Sequence, residues 1–356
     1  AIHLIGSSST VSYSQLINGG MHCVEIDGTG TIIRNNLFDS RNYYGGGTSA
    51  CNIDIGGNGN IFENNTIDVI AYSVAVTGDN NKILNNTFSG CISSYGCIRL
   101  LNSDNSTVAN NTITNSDLGI KIRGGIFNTV ESNTIQDTDY GIWVEEESGT
   151  QSNRNQIIDN SITNSGTYGI YIGNSENNWF RNNTIASSGT KDFYFENNAK
   201  NNYAINTTFS TISVDSTSSL TIKSYLDLDV NDASGDNMSG IDIKVMESGV
   251  QKYASSYFGG SDPKTDSYGT IEIFLINHEI YDGSSTPTTI PTYVSARSND
   301  WVETFTSDPS STIQITVPDL RVQNTRTGTL TYHIQTALYA ASSGDTIHAW
   351  AGIYYE

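Results

Sequence analysis

One short phrase recurs along the first 209 residues and limits the fold more than any other feature. The phrase is Asn-Asn-Thr-Ile, and its copies, some of them imperfect, are Asn35-Asn36-Leu37-Phe38, Asn64-Asn65-Thr66-Ile67, Asn85-Asn86-Thr87-Phe88, Asn110-Asn111-Thr112-Ile113, Ser132-Asn133-Thr134-Ile135, Asp159-Asn160-Ser161-Ile162, Asn182-Asn183-Thr184-Ile185 and Asn206-Thr207-Thr208-Phe209. From Phe38 to Phe209 there are seven intervals in 171 residues, a mean of about 24. A fixed period of this length indicates stacked repeats.

Each period contains a second phrase, in which a small residue precedes two apolar residues that flank a variable one. Examples are Gly119-Ile120-Lys121-Ile122, Gly141-Ile142-Trp143-Val144 and Gly169-Ile170-Tyr171-Ile172. A third segment carries one apolar residue, as in Asn128-Thr129-Val130-Glu131. Ile, Val, Thr and Phe at period 2 predict strands, whereas only 7 Leu precede residue 211, which argues against a leucine-rich repeat. Three short strands per period predict a right-handed parallel β-helix.

Asparagine is concentrated in the same region, with 34 residues up to Asn206 and 5 after it. Stacked at about 4.8 Å, asparagine amides can hydrogen-bond from coil to coil. Asparagine also tolerates left-handed turn conformations. The change in composition predicts a domain boundary near residue 210.

These phrases resemble the β-helix repeats of the pectate-lyase-like superfamily over roughly residues 20 to 210. More narrowly, they are similar to repeats of carbohydrate-binding and sugar-hydrolase proteins, periplasmic copper-loading proteins, and archaeal or bacterial surface proteins. The resemblance implies the fold and an extracellular or cell-surface location, and it leaves the function open.

After about residue 213 the pattern changes to alternating strands separated by turn clusters, which predicts a seven-stranded β-sandwich. The predicted strands cover residues 220–230, 241–247, 251–257, 270–276, 292–296, 301–305 and 313–317. This part resembles the Ig-like or carboxypeptidase-regulatory-like modules of surface proteins. The predicted fold class is therefore all-β, with a β-helix over residues 1–212, a β-sandwich over 213–322 and a helix-plus-strand segment over 323–356.

The last segment resembles the cap that normally opens a β-helix of this superfamily. Ile334, Ala337, Leu338 and Ala341 have the spacing of a short amphipathic helix, and a strand is predicted from Thr346 to Tyr355. A cap at the end of the chain suggests that it completes the β-helix of a second copy, head to tail. The assembly residues would be Ile334, Leu338, Ile347, Trp350 and Tyr354. The alternative is a piece of a longer tandem-repeat protein.

The variable position of the second phrase is predicted to form one exposed stripe along the β-helix. Its members are Glu25, Asp54, Ala75, Arg99, Lys121, Trp143, Tyr171 and Tyr194. A sugar polymer could lie on Trp143, Tyr171 and Tyr194 while Arg99 and Lys121 meet its acidic groups. The alternative is a covered sheet face or a contact between subunits.

No catalytic residues are predicted. The Gly-His-Gly and Arg-x-Lys elements of polygalacturonases are absent, and Glu145-Glu146-Glu147 is interpreted as a solvated turn. Met21-His22-Cys23 groups soft metal ligands, but neighbouring strand residues point to opposite faces, which argues against copper loading. Calcium is the one candidate ion, with weak ligand candidates Asp227, Asp229, Asn231, Asp232 and Asp236, and an ordinary polar turn is the alternative.

Four cysteines lie in the predicted β-helix, and an even number permits disulfides in an extracellular protein. Cys91 and Cys97 flank a short turn, and Cys23 and Cys51 fall in neighbouring coils. Cys51 and Cys97 would lie two coils apart, roughly 9 to 10 Å, too far for a bridge. Buried free thiols are the alternative.

Glycosylation sequons occur at Asn64, Asn85, Asn105, Asn110, Asn182, Asn206 and Asn237. Most of them follow from the Asn-Asn-Thr repeat itself, so Asn105 and Asn237, which lie in predicted turns, are the better candidates.

The charge balance excludes one class of partner. With 17 Lys and Arg against 37 Asp and Glu the formal charge is −20, whereas nucleic-acid binding needs a basic face. No apolar run approaches the roughly 18 residues of a membrane span. The sequence therefore favours an acidic extracellular structural protein that assembles with copies of itself into a fibre, sheath or surface layer. The alternatives are a carbohydrate-binding adhesin that contacts cell-surface glycans and, less favoured, a polysaccharide-processing enzyme.

Overall fold

A computed structural model describes residues 2–17, 22–39, 52–68, 74–92, 94–232, 234–298, 301–307, 312–317, 322–327, 330–331 and 334–349. The chain divides into two compact units. The first comprises Ala1–Ile222 with Ile280–Thr288, and the second comprises Lys223–Glu279 with Thr289–Glu356. The third segment of the predicted division, residues 323–356, falls within the second unit.

The first unit is a right-handed parallel β-helix, as the repeat predicts, and its strands form three parallel stacks. The first stack, built from the Gly-Ile-x-Ile phrase, contains Ile2–Leu4, His22–Ile26, Asn52–Ile55, Val74–Val76, Ile98–Leu101, Tyr168–Gly173, Lys191–Glu196 and Ile212–Val214. The second contains Thr10–Ser12, Ile32–Arg34, Ile61–Glu63, Lys82–Leu84, Thr107–Ala109, Thr129–Glu131, Gln156–Ile158, Trp179–Arg181 and Asn202–Ile205. The third, built from the Asn-Asn-Thr-Ile phrase, contains Gln15–Ile17, Leu37–Asp39, Thr66–Asp68, Thr87–Ser89, Ser161–Thr163 and Thr184–Ala186.

Two long strands, Thr112–Arg123 and Thr134–Glu145, belong to both the third and the first stack. They begin with the Asn-Asn-Thr-Ile phrase and end with the Gly-Ile-x-Ile phrase, with no break in the ladder at the corner between the two phrases. The bend between these stacks is therefore continuous in the middle of the β-helix.

The core is a narrow column of one or two apolar side chains per strand. Thr87–Ser89 buries only Phe88, whereas Val74–Val76 buries both of its valines. Because each strand needs so few apolar residues, 36% hydrophobic residues suffice for a continuous core.

The second asparagine of each Asn-Asn phrase forms a buried amide ladder. Asn36 Nδ2 donates to Asn65 Oδ1, and the same contact, 3.0 to 3.1 Å long, continues coil by coil to Asn183. A second ladder, in which a backbone N–H donates to the side-chain oxygen of the next coil, runs from Asn60 to Asn202. The predicted hydrogen bonding between stacked asparagines is confirmed.

The first asparagine of each phrase takes the other predicted role. Asn35, Asn64, Asn85, Asn110, Asn182 and Asn206, and their substitutes Ser132 and Asp159, have φ between 47° and 57°. Left-handed backbone costs other residues roughly 1 to 2 kcal/mol, and asparagine offsets part of this cost by local hydrogen bonding. The two asparagines of one phrase thus have different functions, one conformational and one in the ladder.

In the second unit the described residues include a four-stranded antiparallel sheet with the order Val250–Ala254, Asp242–Glu247, Thr292–Ser298 and Trp301–Ser307. A parallel pair, Leu228–Asp232 and Ile313–Val317, shares its apolar core, which includes Val230, Ile243, Val294 and Ile315. The strands Ser219–Leu226, Phe274–Asp282 and Thr288–Thr289 each contain residues of both units, and one 3-10 helix in the second unit covers Ser256–Phe258.

The predicted strand bounds of this unit are wrong in three places, one of them the strand predicted over 251–257, which ends at Ala254 before the 3-10 helix. The strand predicted over 220–230 is interrupted at Asp227, and the strand predicted over 270–276 begins at Phe274 and extends to Asp282. The complete seven-stranded Ig-like sandwich stays a prediction.

The C-terminal segment contains the predicted helix in shorter form, and its last described residues form a strand within the predicted range. The helix is Ile334–Tyr339, and the strands Val322–Asn324, Leu330–Thr331 and Ile347–Ala349 form one small sheet. Ala337 is buried, whereas Leu338 is 51% exposed. Among the residues that the structure describes, no helix is long and apolar enough to cross a membrane.

The two asparagines of one phrase allow a matched test of these roles. Asn111 Nδ2 donates to Ile83 O and Asn133 Oδ1, and its Oδ1 accepts from Asn86. We expect Asn111→Ala to lower the free energy of unfolding by about 2 to 4 kcal/mol, because buried partners lose their hydrogen bonds. Asn110→Gly should change it by less than about 0.5 kcal/mol, because glycine accepts a positive φ. Urea unfolding measures both, and equal effects would contradict the assignment.

Candidate functional site

The variable positions of the Gly-Ile-x-Ile phrase form one continuous outer column, as the sequence predicts. Backbone pairing aligns Glu25, Asp54, Ala75, Arg99, Lys121, Trp143, Tyr171 and Tyr194 from coil to coil. The residues on either side of each position point inward, so that Ile142 and Val144 are fully buried beside Trp143. The glycine of the phrase is required by close packing, since a Cβ on Gly141 would lie 2.4 Å from the carbonyl oxygen of Gly169.

Five aromatic residues on three successive coils form the main feature of this column, and we call them the aromatic surface: Tyr140, Trp143, Tyr168, Tyr171 and Tyr194. Trp143 stacks on Tyr171 with ring centroids 3.7 Å apart, and Tyr168 stacks on Tyr194 at 4.3 Å. Tyr140 meets Trp143 edge to face at 5.0 Å. The rings therefore support one another as a rigid cluster.

Tyr140 and Tyr168 were not predicted as site residues. They are in register with each other, and each lies three positions before an outer-column aromatic residue. An aromatic residue directly before the glycine, in Tyr140-Gly141 and Tyr168-Gly169, is the signal that could have identified them.

Tyr171 departs from the expected platform because it is only 6% exposed. Its hydroxyl donates to Glu196 Oε1 at 2.7 Å. Burial, followed by the Glu196 hydrogen bond and nearby carboxylates, raises the pKa of Tyr171 well above its ordinary value, and burial raises that of Tyr194 to about 12. The accessible parts of the surface are therefore the partly exposed rings of Tyr140, Trp143, Tyr168 and Tyr194.

The cations beside the aromatic surface are already paired. Lys121 Nζ lies 2.9 Å from Glu145 Oε1 and 5.2 Å from the centroid of the Trp143 ring. Arg123 Nε lies 3.3 Å from Glu145 and 2.5 Å from Glu147. Glu146 accepts a hydrogen bond from Asn174 at 2.5 Å. The three carboxylates of Glu145-Glu146-Glu147 thus have protein partners and are at the same time partly exposed.

The cysteine pair that flanks a short turn is bridged. Cys91 and Cys97 form a disulfide with Cα atoms 5.4 Å apart, and both are fully buried. The structure describes the backbone of Cys23 within His22–Ile26, whereas Cys51 lies outside the described residues, so the Cys23–Cys51 pairing stays a prediction.

The seven sequon asparagines, at positions 64, 85, 105, 110, 182, 206 and 237, are all exposed. In the Asn-Asn-Thr copies the sequon asparagine is always the left-handed first residue, and the buried ladder asparagine follows it. Asn105 and Asn237 are exposed like the sequon asparagines of the repeat, so exposure does not distinguish the two predicted groups.

Three of the five calcium candidates, Asp227, Asp229 and Asp232, accept hydrogen bonds within the second unit. Asp227 accepts from Thr312 and Asp229 from Gln314, while Asp232 accepts from the backbone N–H groups of Ser234 and Asp236. Asn231 Nδ2 donates weakly to Gln314 at 3.4 Å. The calcium site therefore stays a prediction, with an ordinary polar turn as its alternative.

Elsewhere, three metal-ligating side chains meet that the sequence did not single out. Among the described residues, His3, Glu25 and Asp27 place their ligand atoms within 4.8 Å of one another. The imidazole Nε2 of His3 donates to Asp27 at 2.7 Å, and this hydrogen bond raises the pKa of His3. Such a set could hold a divalent cation. The alignment of His3 with Glu25 in the outer column is the signal that could have identified this set.

The assembly candidates lie in the C-terminal segment. Ile334 and Ile347 are half-buried and Leu338 is exposed. Trp350 and Tyr354 lie outside the described residues.

Gly173 allows a test of the Tyr171 position. A Cβ on Gly173 would lie 2.6 Å from the Tyr171 hydroxyl oxygen, so we expect Gly173→Ala to displace the phenol from Glu196 and to weaken the stacking on Trp143. Gly6→Ala is the control, because a Cβ there would meet only Ser9 Oγ at 3.9 Å. Trp143 fluorescence should change in Gly173→Ala and not in Gly6→Ala. When Gly173→Ala is combined with Trp143→Phe, the fluorescence should be the same as that of Trp143→Phe alone. An unchanged spectrum would contradict this arrangement.

Comparison with known proteins agrees with the fold. Residues 47–185 match the family described as right handed beta helix region. An exopolygalacturonase from Thermotoga maritima shares 14% identity over 60% of this chain and 51% of its own, with a TM-score of 0.39. The chain thus spans about half the length of that enzyme.

Two further solved structures are similar at the same low level. The mannuronan C-5 epimerase A-module of Azotobacter vinelandii shares 13% identity over 59% of this chain and 68% of its own, with a TM-score of 0.31. The Dettilon tailspike protein shares 12% identity over 82% and 70%, with a TM-score of 0.42. No curated protein matches the sequence significantly. The chain therefore carries a right-handed parallel β-helix of the kind that the matched family describes.

Proposed function

We propose that this protein is an extracellular carbohydrate-binding β-helix protein, and that the aromatic surface recognises a polysaccharide. The observation that carries the proposal is the cluster of five rings on one outer face, four of them partly exposed. Rigid aromatic rings with a few polar groups beside them are the usual lining of a ligand site, and they bury the apolar faces of a sugar ring at little entropic cost.

The end of the column offers the widest aromatic face. The position after Tyr194 in the register is Ser213, so no further ring stacks above Tyr194 in this column. At the other end, Lys121 covers Trp143. A sugar unit that stacks on Tyr194 would reach Tyr168 beside it and the carboxylate of Glu196.

The extracellular location is supported by the Cys91–Cys97 disulfide and by the formal charge of −20, which keeps a surface protein hydrated.

Binding without cleavage is part of the proposal. Glu145 and Glu196 are separated in register by Gly173, a distance of roughly 9 to 10 Å at the backbone. Carboxylates at about this separation can hydrolyse glycosides with inversion when water and sugar enter between them. Here the Tyr171 phenol lies over Gly173, between the two side chains, and donates to Glu196. Glu145 is engaged by Lys121 and Arg123.

The test compares two aromatic pairs on opposite stacks. We expect binding to a panel of soluble polysaccharides, measured by affinity electrophoresis, to weaken at least about tenfold in Trp143→Ala/Tyr194→Ala, because the exposed rings are lost. Trp179→Ala/Tyr203→Ala, which removes a stacked pair from the second stack, is the matched control and should bind normally. Equal losses, no binding by the native protein, or release of reducing ends would contradict the proposal.

A second candidate function is end-to-end assembly into a fibre, sheath or surface layer. The observation in its favour concerns the first coil, where the three strands Ile2–Leu4, Thr10–Ser12 and Gln15–Ile17 lie at the ends of the sheet orders in the described residues. Ile2, Leu4, Val11 and Leu16 are only partly buried against the core. Strand edges beside apolar side chains favour strand addition, and the proposed occupant is the segment 323–356 of a second copy.

Electron microscopy of the full chain beside a version ending at Leu320 tests this candidate. We expect filaments from the full chain and none from the shortened one, because the latter lacks the segment that would add to the first coil. Monodisperse particles in both samples would refute end-to-end assembly, and filaments in both would show that the C-terminal segment is not the contact.

A further inference from the structure

We infer that the polysaccharide recognised at the aromatic surface is uncharged, and that Glu145 and Glu147 set this preference. The inference rests on the proposed function and specifies its ligand. It differs from the expectation that Arg99 and Lys121 would meet acidic sugar groups.

The cations nearest to the aromatic surface are neutralised within the protein. Lys121 has a side chain only 11% exposed and an ion pair of 2.9 Å with Glu145. Arg123 is held by Glu145, its register partner on the next coil, and by Glu147, two residues further along the chain. A uronate carboxylate could reach Lys121 only by displacing Glu145, which would leave a partly buried carboxylate without its partners.

The charged groups around the rings show no excess of cations. The cations Arg99, Lys121, Arg123 and Lys191 stand against at least as many carboxylates, namely Glu145, Glu146, Glu147, Glu196 and Asp139, which directly precedes Tyr140. Arg99 and Lys191 lie at the two ends, and the Arg99 guanidinium stacks over Tyr95 at 5.0 Å. The surface therefore offers no local excess of positive charge on a chain with a formal charge of −20, so a polyanion is repelled at low salt.

The surface offers hydrogen-bond acceptors to sugar hydroxyl groups. Glu196 uses one oxygen to accept from Tyr171, and Glu146 uses one to accept from Asn174, so each carboxylate retains acceptor capacity. Sugar hydroxyls are donors, and hydrogen bonds from them to carboxylates are charge-assisted. Rings flanked by carboxylate acceptors thus suit a neutral, hydroxyl-rich polymer.

The experiment measures binding of the native protein to two neutral polymers, laminarin and mannan, and to two acidic ones, polygalacturonate and alginate, at low and at moderate salt. We expect binding to at least one neutral polymer and at least about tenfold weaker binding to both acidic ones. In Glu145→Gln/Glu147→Gln, Lys121 and Arg123 lose their charged partners, so polygalacturonate binding should rise at least about tenfold and fall again with salt.

The matched control is Glu63→Gln/Glu131→Gln. It removes the same two charges from the outer face of the second stack, where Glu63 and Glu131 belong to Ile61–Glu63 and Thr129–Glu131. The control should gain no polygalacturonate binding, which separates the local ion pairs from overall charge. Circular dichroism checks that both variants keep their β structure.

The outcomes separate the two proposals. Tighter binding of an acidic polymer by the native protein would refute the neutral-ligand inference and leave carbohydrate binding intact. Equal behaviour of the two glutamine variants would refute the role of Glu145 and Glu147. Binding of no polymer of either class would refute the proposed function, and the inference with it.

Discussion

In-register parallel stacking is the constraint on which the rest of the first unit depends. Each coil pairs with the next at the spacing of neighbouring strands, so every position of the repeat becomes a column of side chains about 4.8 Å apart. A polar side chain in a buried column must therefore find its partner in the same column. Asparagine meets this requirement because its amide both donates and accepts, and the unbroken ladder from Asn36 to Asn183 follows from it.

The same constraint explains how charges and rings are arranged on the outer face. Like charges at neighbouring positions of a column repel, and nearby opposite charges offset this repulsion: His3 lies beside Glu25 and Asp27, and Glu145 lies beside Lys121 and Arg123. Rings in a column have no such conflict, because offset stacking at this spacing is favourable. Aromatic residues can thus accumulate on successive coils.

The sequence predicted the β-helix, the asparagine ladder and the membership of the outer column, because all three follow from a period and an alternation. It did not predict that Tyr171 is buried or that Glu147 pairs with Arg123, because these depend on side-chain packing over Gly173 and across coils. The strand bounds of the second unit were less accurate for a related reason. Leu228–Asp232 pairs with the distant strand Ile313–Val317, and nothing like the 24-residue period determines that a strand is interrupted at Asp227 or begins at Phe274.

The two proposed functions use separate parts of the β-helix and do not compete. Each coil contacts only its neighbours, so a segment added at the first coil would leave the aromatic surface around Trp143 and Tyr194 unchanged. In an array, that surface would recur once per copy along the same polymer. Several weak sites on one support bind a long polysaccharide far more tightly than one site does, provided that the spacing allows simultaneous contact. A surface of modest affinity, with one buried and four partly exposed rings, would then suffice for firm attachment.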